Sequence, residues 1–168
     1  LNYSSDIDLI ILHDPDNNPL FEPDKAQQFY VSQTRALVGL LGQVTGDGVG
    51  WRVDLRLRPD PGATAVSIQI GAALGYYESI ARTWERAAFI RARPIAGDHA
   101  LGAEFLADIQ PFIWRRTLDY TVMDDMKSML RRPPQAPGWA GYNIKSGANG
   151  IRQIEFFTHV LQLVTGGR

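Results

Sequence analysis

Residues 4–12 read Ser-Ser-Asp-Ile-Asp-Leu-Ile-Ile-Leu, and this stretch decides how the rest of the chain is interpreted. From Asp6 onward its β-branched and aliphatic residues predict a β-strand over 6–12. Side chains two positions apart on a strand point the same way, so Asp6 and Asp8 are expected side by side. Like charges that close repel, and magnesium, which prefers carboxylate and phosphate oxygens, would relieve the repulsion. The alternative is a solvent-facing start of a strand.

A second stretch, Trp-Arg-Val-Asp-Leu-Arg-Leu-Arg at residues 51–58, alternates apolar and charged side chains. Alternation predicts a strand with one apolar and one charged face. If the two strands pair, Asp54 joins Asp6 and Asp8, and three carboxylates can hold two metal ions. Two ions can stabilise the attacking and leaving oxygens of a phosphoryl displacement. The alternative is a solvated face on which charged side chains pair with one another.

Four further side chains near these carboxylates are candidate phosphate contacts. Ser4 and Ser5 offer hydroxyl and backbone donors just before the acidic pair. Arg56 and Arg58 share the charged face of the second strand, and a guanidinium can bind phosphate oxygens through two parallel hydrogen bonds.

A glycine-containing loop at residues 143–149 precedes a helix that is predicted to begin near Gly150. The loop carries Lys145, and the N–H groups at a helix N-terminus bind anions. The glycine spacing is not that of a P-loop. An ordinary glycine-containing helix entry is the alternative.

The other elements predicted from periodicity are mainly helices. They are a helix over 24–41 with an apolar face that includes Leu37 and Leu40, a short strand over 63–70, and helices over 72–93, 99–118 and 119–132. On the 72–93 helix, Glu85 and Arg86 are expected on a polar, ion-paired face. Strands first and helices afterwards predict an α+β fold, with a sheet region over 1–70 and a helical region over 71–168.

Composition narrows the possible functions. The chain has 168 residues, 45% of them hydrophobic, a formal net charge of −1 and no cysteine. Disulfides, zinc–thiolate sites and thiol nucleophiles are therefore excluded, and no overall field favours nucleic acid or anionic lipid. No apolar run is long enough for a transmembrane helix. The chain begins without Met or a signal peptide, so a piece of a longer polypeptide is expected.

Four motifs in this order resemble the glutamine synthetase adenylyltransferase family. The motifs are residues 4–10, 53–59, 84–93 and 150–156. The family's bifunctional enzyme adds AMP to a tyrosine of glutamine synthetase and removes it. Its two related halves each resemble the DNA polymerase β nucleotidyltransferase fold. The N-terminal half removes AMP by phosphorolysis and yields ADP, and the C-terminal half adds AMP from ATP.

Residues 111–120 and 160–168 look more like the deadenylylating half than the adenylylating one. The resemblance implies that Asp6, Asp8 and Asp54 are the catalytic, magnesium-binding residues. It also implies a nucleotide or phosphate role for Arg56, Arg58, Lys145 and Glu155. Gln153 departs from the family, which usually has an acidic residue there, and a glycine-rich segment is expected upstream of Leu1.

The partners implied by the resemblance are glutamine synthetase, ATP or ADP, phosphate and a PII-type signalling protein, in the cytoplasm. Three alternatives stay open: the adenylylating half, a non-catalytic module that docks glutamine synthetase or a nitrogen-signalling regulator, and a polymerase-like nucleic-acid enzyme. The last is disfavoured because no basic stretch with interleaved aromatic residues is present. No membrane partner is expected.

Overall fold

Helices and short strand pairs make up the part of the chain that the computed structural model describes, residues 5–16, 23–115, 144–145, 147 and 149–166. This mixture confirms the expected α+β class. The chain divides into two units, Leu1–Ala81 and Arg82–Arg168. Within the described ranges, no helix combines the length and the apolar character that crossing a membrane requires.

In its described residues, the first unit contains three pairs of short strands and two helices. Its elements are β1 (Ile7–Asp8), β2 (Ile11–His13), α1 (Pro23–Gly42), β3 (Val44–Thr45), β4 (Gly48–Val49), β5 (Val53–Asp54), β6 (Ser67–Gln69) and α2 (Ile70–Ser79). β1 pairs in parallel with β5 and β2 in parallel with β6, whereas β3 and β4 are antiparallel. Both helices pack against β6, where Ile68, Ala73 and Tyr77 are buried.

Both predicted long strands are shorter than expected. The strand over 6–12 is two separate strands, β1 and β2. The strand over 51–58 is limited to β5, because the chain turns directly after Asp54, where the N–H of Arg58 donates to the carbonyl of Leu55 at 3.4 Å. The predicted apolar face is wrong at Trp51, which is 56% exposed. The strand expected over 63–70 is confirmed as β6.

The helix expected over 24–41 is confirmed as α1, but its buried face is not the predicted one. Leu37 and Leu40 are exposed, whereas Ala26 and Thr34 are buried. The reason is a polar contact with the strands: the side-chain amide of Gln27 donates to the carbonyl of Ser67 at 2.9 Å. The buried residues of α1 are thus small or polar rather than the predicted leucines.

The second unit is helical in its described residues. Its elements are α3 (Thr83–Phe89), α4 (His99–Asp108), α5 (Gln110–Ile113) and α6 (Ile151–Thr165). α3 packs against α5 and α6, and the apolar core comprises Phe89, Phe105, Ile109, Phe112, Ile113 and Leu163. The helix expected from Gly150 is confirmed as α6. The helix expected over 119–132 lies outside the described residues.

Two predicted helices are interrupted. The helix over 72–93 is wrong, because α2 ends at Ser79 and α3 begins at Thr83. The new start is stabilised by Glu85, whose carboxylate accepts the N–H of Arg82 at 3.0 Å. The helix over 99–118 ends at Asp108, and the short α5 follows with Pro111 in its first turn.

The polar face predicted for Glu85 and Arg86 is also wrong. These side chains are 4% and 3% exposed. The Nε of Arg86 donates to the carbonyl of Ile113 at 3.0 Å, which links α3 to α5. A buried charge must be hydrogen-bonded to be tolerated, so both residues are structural parts of the second unit rather than a solvated surface.

Candidate active site

The parallel pair β1–β5 brings two of the predicted carboxylates together. In its register Asp8 lies opposite Asp54, and Ile7 lies opposite Val53. The N–H of Ile7 donates to the backbone carbonyl of Arg52 at 2.8 Å, and the N–H of Leu9 donates to that of Asp54 at 2.9 Å. Neighbouring strands are about 4.8 Å apart. The two acidic strands therefore do pair, which is the condition on which the convergence of their carboxylates depended.

Asp54 is held by the arginine two residues after it. The Nε of Arg56 donates to Oδ1 of Asp54 at 2.9 Å and to Oδ2 at 2.8 Å, and Nη2 also donates to Oδ2. The backbone N–H of Arg56 donates to Oδ1 at 2.8 Å. These hydrogen bonds, the side-chain one above all, lower the pKa of Asp54, although burial opposes them. Asp54 is therefore ionised across the physiological range.

The other two carboxylates, Asp6 and Asp8, act electrostatically on Arg56. Asp6 pairs with Arg52, whose Nε lies 2.7 Å from Oδ1, and both side chains are largely exposed. The pKa of Arg56 is raised, first by the hydrogen bond with Asp54 and then by the negative charges of Asp54, Asp6 and Asp8. The charge-paired face that was the alternative is therefore present, because Arg52 pairs with Asp6 and Arg56 pairs with Asp54. Both pairs lie at the edge that carries the predicted catalytic aspartates.

The positions of these carboxylates bear on the predicted metal site. Among the described residues, no three acidic or histidine side chains lie close enough together to enclose a metal ion. The donors themselves fit a hard divalent cation, because Asp8 and Asp54 are carboxylates at facing strand positions. A positive charge, the guanidinium of Arg56, already lies at this edge. The two-magnesium site of Asp6, Asp8 and Asp54 stays a prediction.

Arg58 is engaged by the backbone that follows β5. Its Nη1 donates to the carbonyl of Leu55 at 2.8 Å, and its Nη2 donates to Pro61 at 2.9 Å and to Thr64 at 3.3 Å. These contacts fix the turn after Asp54. Of the two serines predicted to contact phosphate, Ser5 is half-buried beside β1, and Ser4 lies outside the described residues.

The loop before α6 uses its own carbonyls at the helix N-terminus. The N–H of Ile151 donates to the backbone carbonyl of Ile144 at 2.9 Å, and the N–H of Arg152 donates to that of Lys145 at 3.0 Å. The N–H of Gln153 donates to Gly150 at 3.0 Å. These first-turn donors are already paired, so an anion bound near Lys145 would be bound by side chains rather than by the helix end.

Gln153 has a clear structural role at this junction. Its Oε1 accepts the backbone N–H of Asn149 at 2.7 Å, and Asn149 has a φ of 61°. A carboxylate at the same position, which the resemblance implies, would offer the same acceptor. Lys145 and Glu155 are exposed and belong to the second unit, whereas the three aspartates belong to the first.

A buried histidine, His13, joins α1 to the β2–β6 pair. His13 is 4% exposed, its ring stacks on Tyr30 at 4.8 Å, and its Nδ1 lies 2.8 Å from the hydroxyl of Ser67. Burial lowers the pKa of His13. The ring is therefore neutral at physiological pH and serves packing.

Comparison with known proteins supports the motif-based resemblance. The glutamate-ammonia ligase adenylyltransferase family matches residues 1–108. Proteins named bifunctional glutamine synthetase adenylyltransferase/adenylyl-removing enzyme match the whole chain at 51% identity in Xanthobacter autotrophicus, 50% in Bradyrhizobium sp. ORS 278 and 47% in Rhizobium meliloti. The chain spans 18% of the length of each of these relatives. Because the family match covers more than half of the chain, the chain belongs to the glutamate-ammonia ligase adenylyltransferase family.

Proposed function

We propose that this chain is part of a nucleotidyltransferase domain that removes AMP from the adenylylated tyrosine of glutamine synthetase by phosphorolysis. The observation that carries the proposal is the register of β1 and β5, which sets Asp8 opposite Asp54. Asp6 and Arg56 lie at the same edge. Relatives whose names include both adenylyl transfer and adenylyl removal match the entire chain, which supports the substrate.

In this reaction an oxygen of inorganic phosphate attacks the α-phosphorus of the tyrosine-bound AMP. The new P–O bond forms while the bond from phosphorus to the tyrosine oxygen breaks, and that oxygen leaves and takes up a proton. The products are ADP and unmodified tyrosine. Magnesium held by Asp6, Asp8 and Asp54 would supply charge stabilisation for the transferring group.

The chain's own residues have defined tasks in this proposal. Asp54 is kept ionised by its hydrogen bonds with Arg56, and the ionised carboxylate is the form that would bind a cation. Arg58 keeps the turn after β5 fixed and with it the position of Asp54. Arg56, which is 80% exposed, has a guanidinium fork that matches phosphate oxygens. Ser4, Ser5, Lys145 and Glu155 are further proposed nucleotide or phosphate contacts.

The proposal extends to fold and setting. The β1–β5 edge, with carboxylates at facing positions, is consistent with a sheet of the DNA polymerase β type. A PII-type signalling protein as regulator and a cytoplasmic location follow from the family resemblance. The adenylylating direction, AMP transfer from ATP with release of pyrophosphate, is the second candidate, because the names of the relatives cover both directions.

The decisive assay mixes adenylylated glutamine synthetase, phosphate and magnesium with the chain, extended upstream by the glycine-rich segment that the resemblance implies. ADP is measured by chromatography. Asp8→Asn should lower the rate by a factor of about 10² or more, because charge stabilisation of the transferring group is usually the largest catalytic contribution. Asp14→Asn is the matched control, since Oδ1 of Asp14 accepts only the local N–H of Asp16 among the contacts described, at 3.0 Å.

Each outcome has a distinct meaning. Phosphate-dependent ADP that disappears with Asp8→Asn and persists with Asp14→Asn supports deadenylylation. AMP transfer from ATP without ADP formation assigns the adenylylating direction. A folded Asp8→Asn variant with full activity would remove Asp8 from the site, and no activity in either direction would favour a docking module.

A further inference from the structure

Both carboxylate oxygens of Asp54 are already engaged by N–H groups of Arg56. A carboxylate offers about four lone-pair positions. Oδ1 accepts from the backbone N–H and the Nε of Arg56, and Oδ2 accepts from Nε and Nη2 of the same residue. A cation that coordinates Asp54 must therefore displace at least part of the guanidinium.

The guanidinium can leave without disturbing the strand. Arg56 is 80% exposed whereas the side chain of Asp54 is 15% exposed, so the arginine can turn into solvent while the aspartate stays in place. The backbone N–H of Arg56 also donates to Oδ1. That hydrogen bond does not depend on the guanidinium, and it keeps the carboxylate oriented after the guanidinium has moved.

The surrounding charge favours a cation at this position whatever its identity. Asp6 and Asp8 act electrostatically on Arg56 in addition to Asp54, and Asp8 lies opposite Asp54 in the strand pair. Asp6 has a counter-charge in Arg52, and the facing carboxylates of Asp8 and Asp54 would repel each other without one. An arginine supplied two residues after Asp54 meets this need without a metal ion.

We propose that Arg56 is a built-in counter-cation, whose guanidinium and a divalent cation bind Asp54 in alternation. The inference rests on the proposed function, because it takes Asp54 as a metal ligand. When the ion binds, Arg56 leaves Asp54, and its fork is free to bind phosphate oxygens. Arg56 is thus a positioning residue that keeps Asp54 correctly oriented before the metal arrives.

The test is a titration of the full chain with Mn²⁺, with free Mn²⁺ followed by electron paramagnetic resonance. Arg56→Met removes the competing guanidinium and should tighten Mn²⁺ binding about tenfold, equivalent to about 1.4 kcal/mol. Arg35→Met is the matched control, because Arg35 is exposed on α1 and has no carboxylate partner among the described residues. It should leave the affinity unchanged, whereas Asp54→Asn should weaken binding at least tenfold.

The outcomes separate this inference from the proposed function. If Asp54→Asn weakens binding but Arg56→Met does not tighten it, the counter-cation role is wrong and the metal role stands. If wild type and Asp54→Asn bind Mn²⁺ equally, both are wrong. Arg56→Lys keeps the charge but not the fork, so an affinity between those of wild type and Arg56→Met is expected. Should Arg56→Met fail to fold, a Lys variant no tighter than wild type overturns the inference.

Discussion

Gly150 immediately precedes α6, and a methyl group added at this position would lie 2.6 Å from the carbonyl oxygen of Ile144. It would also lie 2.9 Å from that of Gly147 and 3.1 Å from that of Lys145. The backbone of Gly150 has φ −77° and ψ 175°, which any residue adopts. The effect of Gly150→Ala is therefore steric, and it falls on backbone atoms that cannot rotate away as a side chain can.

The magnitude follows from three contributions. Overpacking of this kind costs about 2 kcal/mol. Moving the loop weakens one of its hydrogen bonds to α6, such as Ile151 to Ile144 at 2.9 Å, which costs about 1 kcal/mol more. The loss of unfolded-state entropy on replacing glycine returns about 0.7 kcal/mol. Gly150→Ala should therefore lower the free energy of unfolding by about 2 kcal/mol.

Urea denaturation followed by far-UV circular dichroism measures this change. Gly75→Ala is the comparison, because Gly75 lies inside α2 and a methyl group there meets nothing within 4 Å. That substitution should raise stability by up to about 1 kcal/mol through helix propensity. A Gly150→Ala protein as stable as the parent would refute the steric argument and the loop geometry on which it depends.

Three further predictions concern buried or capping side chains. Burial lowers the pKa of His13, so the unfolded chain binds a proton more readily than the folded one. The free energy of unfolding should therefore decrease as the pH falls below about 6.5, and it should decrease less in His13→Gln. An equal pH dependence of the two proteins in urea titrations would contradict this. Gln153→Glu keeps the acceptor for the N–H of Asn149 and adds a negative charge at a helix N-terminus, so the melting temperature should rise with a gain of about 0.3–1 kcal/mol, whereas Gln153→Leu should lower it. Arg86→Met leaves the carbonyl of Ile113 without its donor and should cost about 1–3 kcal/mol in thermal unfolding; unchanged stability would mean that another donor replaces Arg86.

The sequence predicted the elements that depend on local information. The periodicity of 24–41 and the glycine before Ile151 were enough to place α1 and α6, because helix periodicity and helix ends are set by neighbours along the chain. The pairing of the two acidic strands was only a condition of the predicted site, and it is met at Asp8 and Asp54. Parallel pairing in this register was not specified by either strand alone.

The errors arise where side-chain hydrogen bonds, local or distant in sequence, decide the structure and leave no periodic pattern. Alternating side chains over 51–58 fit a long strand, but the hydrogen bonds of Arg58 with Leu55, Pro61 and Thr64 stabilise a turn instead. A polar surface was expected at Arg86 because its partner, the carbonyl of Ile113, has no signature in the sequence. Likewise, nothing in the pattern distinguished an arginine that binds phosphate from one that binds Asp54.

The β1–β5 pair has a consequence for how loss of activity would appear in kinetics. Each strand contributes only two paired residues, Ile7–Val53 and Asp8–Asp54. A slip of one residue would send one carboxylate to the opposite face, so under the proposed function turnover would require the correct register and would report on it. Substitutions that populate slipped molecules should lower kcat in proportion to the active fraction and leave KM unchanged, because the correctly registered molecules bind substrate as before.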